Sequence, residues 1–122
     1  MLKCYECNKK AGKHHIVFKG SKTIIIYMSI NEIPLCKSCH HQLHRNKDMD
    51  IKYKLLLQNK LRNLFANEYY NLYEIKSILR ISSYQLQSLD KAISKHSVTY
   101  SQEEIIKYLM GGQLYANCKG KL

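Results

Sequence analysis

The apolar positions of this 122-residue chain change rhythm near residue 50. Before that point they come in short blocks between cysteines, histidines and lysines. Val17-Phe18 and Ile24-Ile25-Ile26-Tyr27 have the branched and aromatic composition of strands, and Lys19-Gly20-Ser21-Lys22 reads as the turn between them, which predicts a β-hairpin. Pro34 then breaks the chain, and Cys36 to His44 predicts the start of a helix with His40 and His44 one turn apart on one face. After residue 50, Ile51, Leu55, Leu61, Leu64 and Phe65 recur near helical spacing among Lys, Gln and Asn, predicting an amphipathic helix to about Asn67. Two shorter helical patterns, 71–82 and 83–93, meet at Ile81-Ser82, where the serine is placed to cap the second. A last helix is predicted after Ser101, with Glu104 as capping-box partner, ending before Gly111-Gly112. The tail from Asn117 is expected to fray.

These periods predict an α+β chain: a β-bearing module over residues 1–50 and a helical region over residues 51–122, without internal repeat or low-complexity tract. Within the helical region, residues 71–93 read as a candidate helix-turn-helix. Its recognition helix would run from Ser83 to Ser94, with Tyr84, Gln85, Gln87 and Lys91 able to meet base edges or phosphates. Two amphipathic helices joined by a short turn also make ordinary core, so both readings stay open at this point.

Charge narrows the choice of partner. Twenty Lys and Arg against nine Asp and Glu give a formal net charge of +11, which suits a polyanion because each neutralised phosphate releases condensed counterions. Duplex DNA is the expected partner, although an anionic membrane surface would be attracted too. No stretch resembles a signal peptide or a spanning helix, so a soluble, cytoplasmic protein of a bacterium or phage-infected cell is expected, with no membrane and no small-molecule substrate as partner.

The cysteines supply the first chemistry. Cys4 and Cys7 form one Cys-x-x-Cys, Cys36 and Cys39 another, and Cys118 stands alone. In a reducing compartment paired knuckles read as a tetrahedral zinc site rather than a disulfide framework. Four thiolates saturate zinc, so such a site is structural. The histidines are left over: His14 and His15 are adjacent in extended chain, where neighbours face opposite ways, while His40 and His44 share a helix face. They are either surface histidines of a zinc-ribbon module or a second site.

The order Cys4-x-x-Cys7, His14-His15-Ile16, Asn31, then Leu35-Cys36-Lys37-Ser38-Cys39-His40 resembles the HNH endonucleases, the ββα-metal nucleases with a zinc-knuckle subgroup, and in particular their phage and homing-type members. The resemblance covers about the first fifty residues. It implies a zinc-stabilised ββα-metal module in which His14 binds one divalent metal and His15 is the general base. It further implies that Asn31 holds the active-site loop or approaches the metal, and that His40 is a metal ligand. His44 matches a second helix ligand of some members. His41 points off that face. Many members carry Asp where this chain has His14, which bears on the metal: Mg2+ or Mn2+ is expected first, with Zn2+ or Ni2+ as alternatives. The implied activity is metal-dependent hydrolysis of DNA phosphodiester bonds. The competing expectation is a zinc-stabilised DNA-binding protein or transcription regulator without nuclease activity.

Overall fold

The computed structural model describes residues 2–17, 23–93 and 99–115. Strand β1 (Gly12–His15) pairs antiparallel with β2 (Glu32–Leu35), with His14 opposite Ile33 and His15 opposite Glu32. The alternation of β2 is that of a half-buried strand: Ile33 and Leu35 face the core, Glu32 and Pro34 the outside.

This sheet is not the hairpin that the branched residues suggest. Ile24–Tyr27 is a 3-10 turn followed by a second one, Ser29–Asn31, and Val17 follows β1 as buried irregular chain. Phe18 and the expected turn at residues 19–22 lie outside the described residues. The physical reason is burial. Ile24 and Ile25 are both buried, whereas a half-exposed strand would turn alternate residues outward. Thr23 caps the first turn through its hydroxyl, which accepts from the Ile25 N–H at 3.4 Å. Pro34, expected to break the chain, sits inside β2 instead. A two-stranded sheet leaves each strand one free edge, where a missing N–H costs nothing.

Two helices follow with one residue between them. Helix α1 (Lys37–Arg45) starts at Cys36, whose sulfur accepts from the Cys39 N–H at 3.4 Å. Asn46 ends α1 by donating its N–H to Gln42 O at 2.8 Å, and begins α2 (Lys47–Leu64) by accepting from the Met49 N–H at 3.1 Å. Asp48 and Asp50 in the first turn of α2 complement its positive end. The helix therefore starts four residues before the apolar pattern does, and ends at Leu64 rather than Asn67. Its buried stripe is Tyr53, Leu57 and Leu61, while Leu64 is exposed.

The remaining chain is helical with a small second sheet. Strand β3 (Tyr69–Tyr70) pairs antiparallel with β4 (Tyr100–Ser101), and each strand runs into a helix through a capping box: Asn71 and Glu74 open α3 (Leu72–Leu79), Ser101 and Glu104 open α5 (Gln102–Leu109). Between them α4 (Ser83–Ile93) is opened by Ser82 and Gln85, each side chain bonded to the other's N–H at 3.1 Å. Arg80 ends α3 in the left-handed region at φ 55°, an uncommon conformation for a side chain larger than Asn. Gly111 and Gly112, at φ 88° and 98°, close α5, with the Gly112 N–H on Lys107 O at 2.8 Å. Tyr100 donates to Asp90, tying β4 to α4; that bond, with burial, pushes the Tyr100 phenol up to about 12.

One core cluster takes residues from every part of the chain, including Ile25, Leu35, Leu43, Leu57, Ile75, Leu89 and Ile106. The boundary expected at residue 50 falls inside α2. Polar clamps reinforce the apolar contact: Thr23 donates to Leu109 O at 3.3 Å, Tyr108 accepts from the Ile24 N–H at 3.2 Å, and Gln58 bonds both backbone groups of Tyr115 at 2.8 Å. Among the described residues no helix is long and apolar enough to cross a membrane.

The N-terminal knuckle docks on α2 through Glu6, which accepts from Tyr53 and from Lys52 at 2.9 Å. The Tyr53 hydroxyl, then Lys52, hold the Glu6 carboxyl below the usual carboxylate range against the cost of burial. Replacing Tyr53 with Phe keeps the ring and removes one hydrogen bond to a charged group, so unfolding free energy should fall by about 1.5–3 kcal/mol. Urea denaturation reads this directly; a change below about 0.5 kcal/mol would show that the bond does not hold the knuckle.

Candidate metal centres

Cys4 and Cys7 flank a tight turn made by local backbone bonds, Asn8 N–H to Cys4 O at 2.9 Å and Cys4 N–H to Lys9 O, with Asn8 left-handed at φ 67°. The Tyr5 N–H donates to Pro34 O at 2.8 Å, laying this turn against the end of β2. Cys36 and Cys39 stand at the start of α1. The result is one cluster: the ligand atoms of Cys4, Cys7, Cys36 and Cys39 all lie within 4.8 Å of one another, and the Cys7 and Cys36 sulfurs are 3.5 Å apart. A zinc–sulfur bond of about 2.3 Å gives a tetrahedral edge of roughly 3.8 Å, so the spacing fits one ion. The four cysteines are free of disulfides.

Ionisation within the cluster is uneven. Burial opposes ionisation of Cys4, but backbone hydrogen bonds at Cys36, Cys7 and Glu6 outweigh it and bring the thiol down to about 6. Cys39 is pushed up to about 12 by its contact with the Cys36 sulfur, by burial, and by Cys4 and Cys7. Adjacent thiolates repel, so one ionises at the others' expense unless a cation balances them.

The histidines form a second group across β1 and α1. His14 stacks on His40 with ring centroids 3.7 Å apart and planes 24° off parallel, and the Nε2 atoms of His40 and His44 are 3.0 Å apart. Burial, then the neighbouring His14 and His44 rings, lower the His40 pKa and favour neutral imidazole, the form that binds metal. Metal–nitrogen bonds of about 2.1 Å put adjacent ligands roughly 3.0–3.4 Å apart, which the His40–His44 pair satisfies. His14 is beside that pair, with its ring stacked on that of His40. Among the described residues the ligand atoms of the four cysteines gather within 4.8 Å of one another, and those of the three histidines do not.

His15, the next residue of β1, lies on the opposite face of the pleat from His14, half-buried, with Lys13 on its own side. Asn31 is fully buried, and its amide grips the chain just beyond: Val17 N–H donates to Oδ1 at 2.7 Å, Nδ2 donates to Val17 O at 2.9 Å, and Ile16 N–H donates to Asn31 O at 2.9 Å. Asn31 thereby clamps the chain that follows β1. Glu32 is the residue the sequence passes over. It is the cross-strand partner of His15, on the same face, and its carboxylate is 4.0 Å from the Lys13 ammonium. Only the strand register reveals it.

In α4, Tyr84, Gln87 and Lys91 fall on an exposed face, Tyr84 being 78% exposed. The Gln85 amide oxygen instead accepts from Ser82 at the helix's own start. Ser94, His96 and Cys118 lie outside the described residues. No family model, curated protein or solved structure matches the chain.

The clamp has a measurable weight. Asn31→Ala would leave the buried N–H and C=O of Val17 without partners, at about 1–3 kcal/mol each. A loss of roughly 2–4 kcal/mol in unfolding free energy is expected by urea denaturation, with Asn31→Asp failing to restore it because an acid cannot donate to the carbonyl when ionised. A variant within about 0.5 kcal/mol of the parent would show that the amide is not what orders this loop.

Proposed function

We propose that the chain is a metal-dependent, HNH-type endonuclease that hydrolyses DNA phosphodiester bonds, with the four cysteines as a structural zinc site. One observation carries the reading: the β1–β2 sheet and α1 bring a strand histidine onto His40, itself in contact with His44, beside a four-sulfur cluster that Cys36 and Cys39 at the start of α1 help to build. Phosphodiester hydrolysis needs a base on the attacking side and a positive charge near the phosphate.

In this reading His15 takes a proton from water as the water oxygen attacks phosphorus and the opposite phosphorus–oxygen bond breaks. Glu32, the cross-strand neighbour of His15, would accept from its other ring nitrogen and so fix its tautomer. Asn31 holds the backbone just after the base. His40 and His44, joined by His14 once it turns out of its stack, would hold a divalent ion that neutralises charge developing on the phosphate and leaving oxygen. Three imidazoles suit Mn2+, Ni2+ or Zn2+ better than Mg2+, which prefers oxygen ligands.

A second reading, a zinc-stabilised DNA-binding protein without cleavage, draws on a different observation. Tyr84, Gln87 and Lys91 share an exposed face of α4, the second helix of a helix-turn-helix-like pair. Both readings require zinc, and only the first requires cleavage.

The zinc assignment predicts one ion per chain. Cys36→Ser should lose that ion and much of the thermal stability, and serine is itself a good N-cap, so loss of the α1 cap would not account for the fall. Elemental analysis with a thermal melt decides it; a Cys36→Ser protein retaining both would overturn the zinc site.

The nuclease assignment predicts nicking of supercoiled plasmid in a divalent-metal series, strongest with the nitrogen-tolerant ions. His15→Ala should cut about a hundredfold slower or worse while still binding metal and DNA. His14→Ala and His40→Ala should instead weaken metal affinity and regain part of their activity at high metal concentration. A His15→Ala protein as fast as the parent would refute the base. A parent inert with every ion would leave the DNA-binding reading.

A further inference from the structure

The elbow between α1 and α2 carries an open groove of about 700 Å³ to which the proposed chemistry assigns no role. Its wall along α1 is Lys37, His41 and Arg45, residues at i, i+4 and i+8 that form one exposed stripe. Gln42 lies beside them, and Lys47 and Asp48 of α2 complete the rim. Three permanent cations face one carboxylate. One end of the stripe adjoins the histidines, while His41 and Arg45 turn away from them around α1. Lys37 precedes His44 by seven residues, close to two helical turns, so the two share a line along α1.

We propose that this groove is a binding site for the sugar-phosphate backbone of duplex DNA, taking the phosphates next to the one presented to His40 and His44. The choice of DNA among polyanions rests on the endonuclease reading. The character of the groove rests on its own residues. Its lining is polar and exposed throughout, unlike the enclosed, largely apolar pocket that a small molecule requires. It offers no apolar or aromatic side chain to insert into a bilayer, as a membrane-surface site would. Duplex DNA presents one phosphate per about 3.4 Å of axis on each strand, and Lys37 and Arg45, eight residues or about 12 Å apart along α1, meet such a ladder together with Lys47 without needing a particular base.

The test measures binding rather than cleavage, so the two proposals fail separately. The full chain, with no added divalent metal, is titrated against a short labelled duplex by fluorescence anisotropy over a series of KCl concentrations. The variant Lys37→Gln/Arg45→Gln/Lys47→Gln is compared with a charge-matched control, Lys60→Gln/Arg62→Gln/Lys107→Gln, whose residues are likewise exposed but lie outside the groove. The log–log salt slope of the groove variant should be shallower by about 0.9 for each phosphate it no longer neutralises, roughly two to three phosphates in all, and its binding roughly tenfold or more weaker at moderate salt. The control should change markedly less. Thermal melts should leave both variants near the parent; if the groove triple melts early, Lys37→Gln alone carries the test, with a slope shallower by about 0.9. Equal effects in the two triples would overturn the groove, as would a parent that fails to bind duplex or binds phosphatidylserine vesicles in preference to it. A parent that binds through the groove but nicks no plasmid would remove the nuclease reading and leave this one standing.

Discussion

Four thiols held within 4.8 Å of one another form a cluster that cannot all ionise without a cation. That constraint shapes the first half of the molecule. The chain from Cys4 to Cys39 has to return on itself, and its closure is a loop cost that contacts at its ends must offset. The Tyr5–Pro34 backbone bond and the Glu6 contacts to α2 supply part of this. A divalent ion on four sulfurs would supply more, since it would balance the charge of thiolates held side by side. Because Cys36 also caps α1, the same closure sets the direction in which His40 and His44 leave the helix.

The histidine group depends on that closure twice. The strand β1 has to lie along β2 for His14 to reach α1, and β2 ends directly at Cys36. Any shift of register by one residue would exchange the faces of His14 and His15, moving the proposed base to the helix side and the ligand away from it. Asn31 guards against such a slip. Its amide satisfies both backbone groups of Val17, and its own carbonyl takes the Ile16 N–H, so the chain leaving β1 is fixed within two residues of His15.

What the sequence makes legible follows from the range of the interaction behind each signal. Capping is local, so Ser82 and the Ser101–Glu104 box mark real helix starts, and Cys36 to His44 is a helix as its pattern predicts. The cysteine spacing likewise foretells the cluster, because two short knuckles leave few other ways to gather four sulfurs. The isoleucine run at residues 24–26 misleads for the opposite reason. Branched residues mark burial as much as strand, and only tertiary contacts to Tyr108 and Leu109 decide that this run coils. The true partner of β1 begins at Glu32, and without that register neither the cross-strand neighbour of His15 nor the position of Pro34 within a strand is visible.

The charge surplus sets a final condition. A net +11 on so short a chain repels itself, and folding brings those charges closer together than the unfolded chain holds them. The ion pairs Lys13–Glu32, Lys52–Glu6 and Lys54–Asp50 relieve part of this, and the first of them lies at the limit of contact at 4.0 Å. The stripe on α1 adds cations beside a group of imidazoles that already disfavours a further positive charge on His40. Such crowding is unfavourable for the isolated chain and favourable once a polyanion is present, so a partner that binds the folded state would stabilise it by mass action. The same residues that cost the free protein stability are those that would draw it to phosphate, and the fold tolerates them because the sulfur cluster and the apolar core hold α1 in place through its buried Cys39 and Leu43.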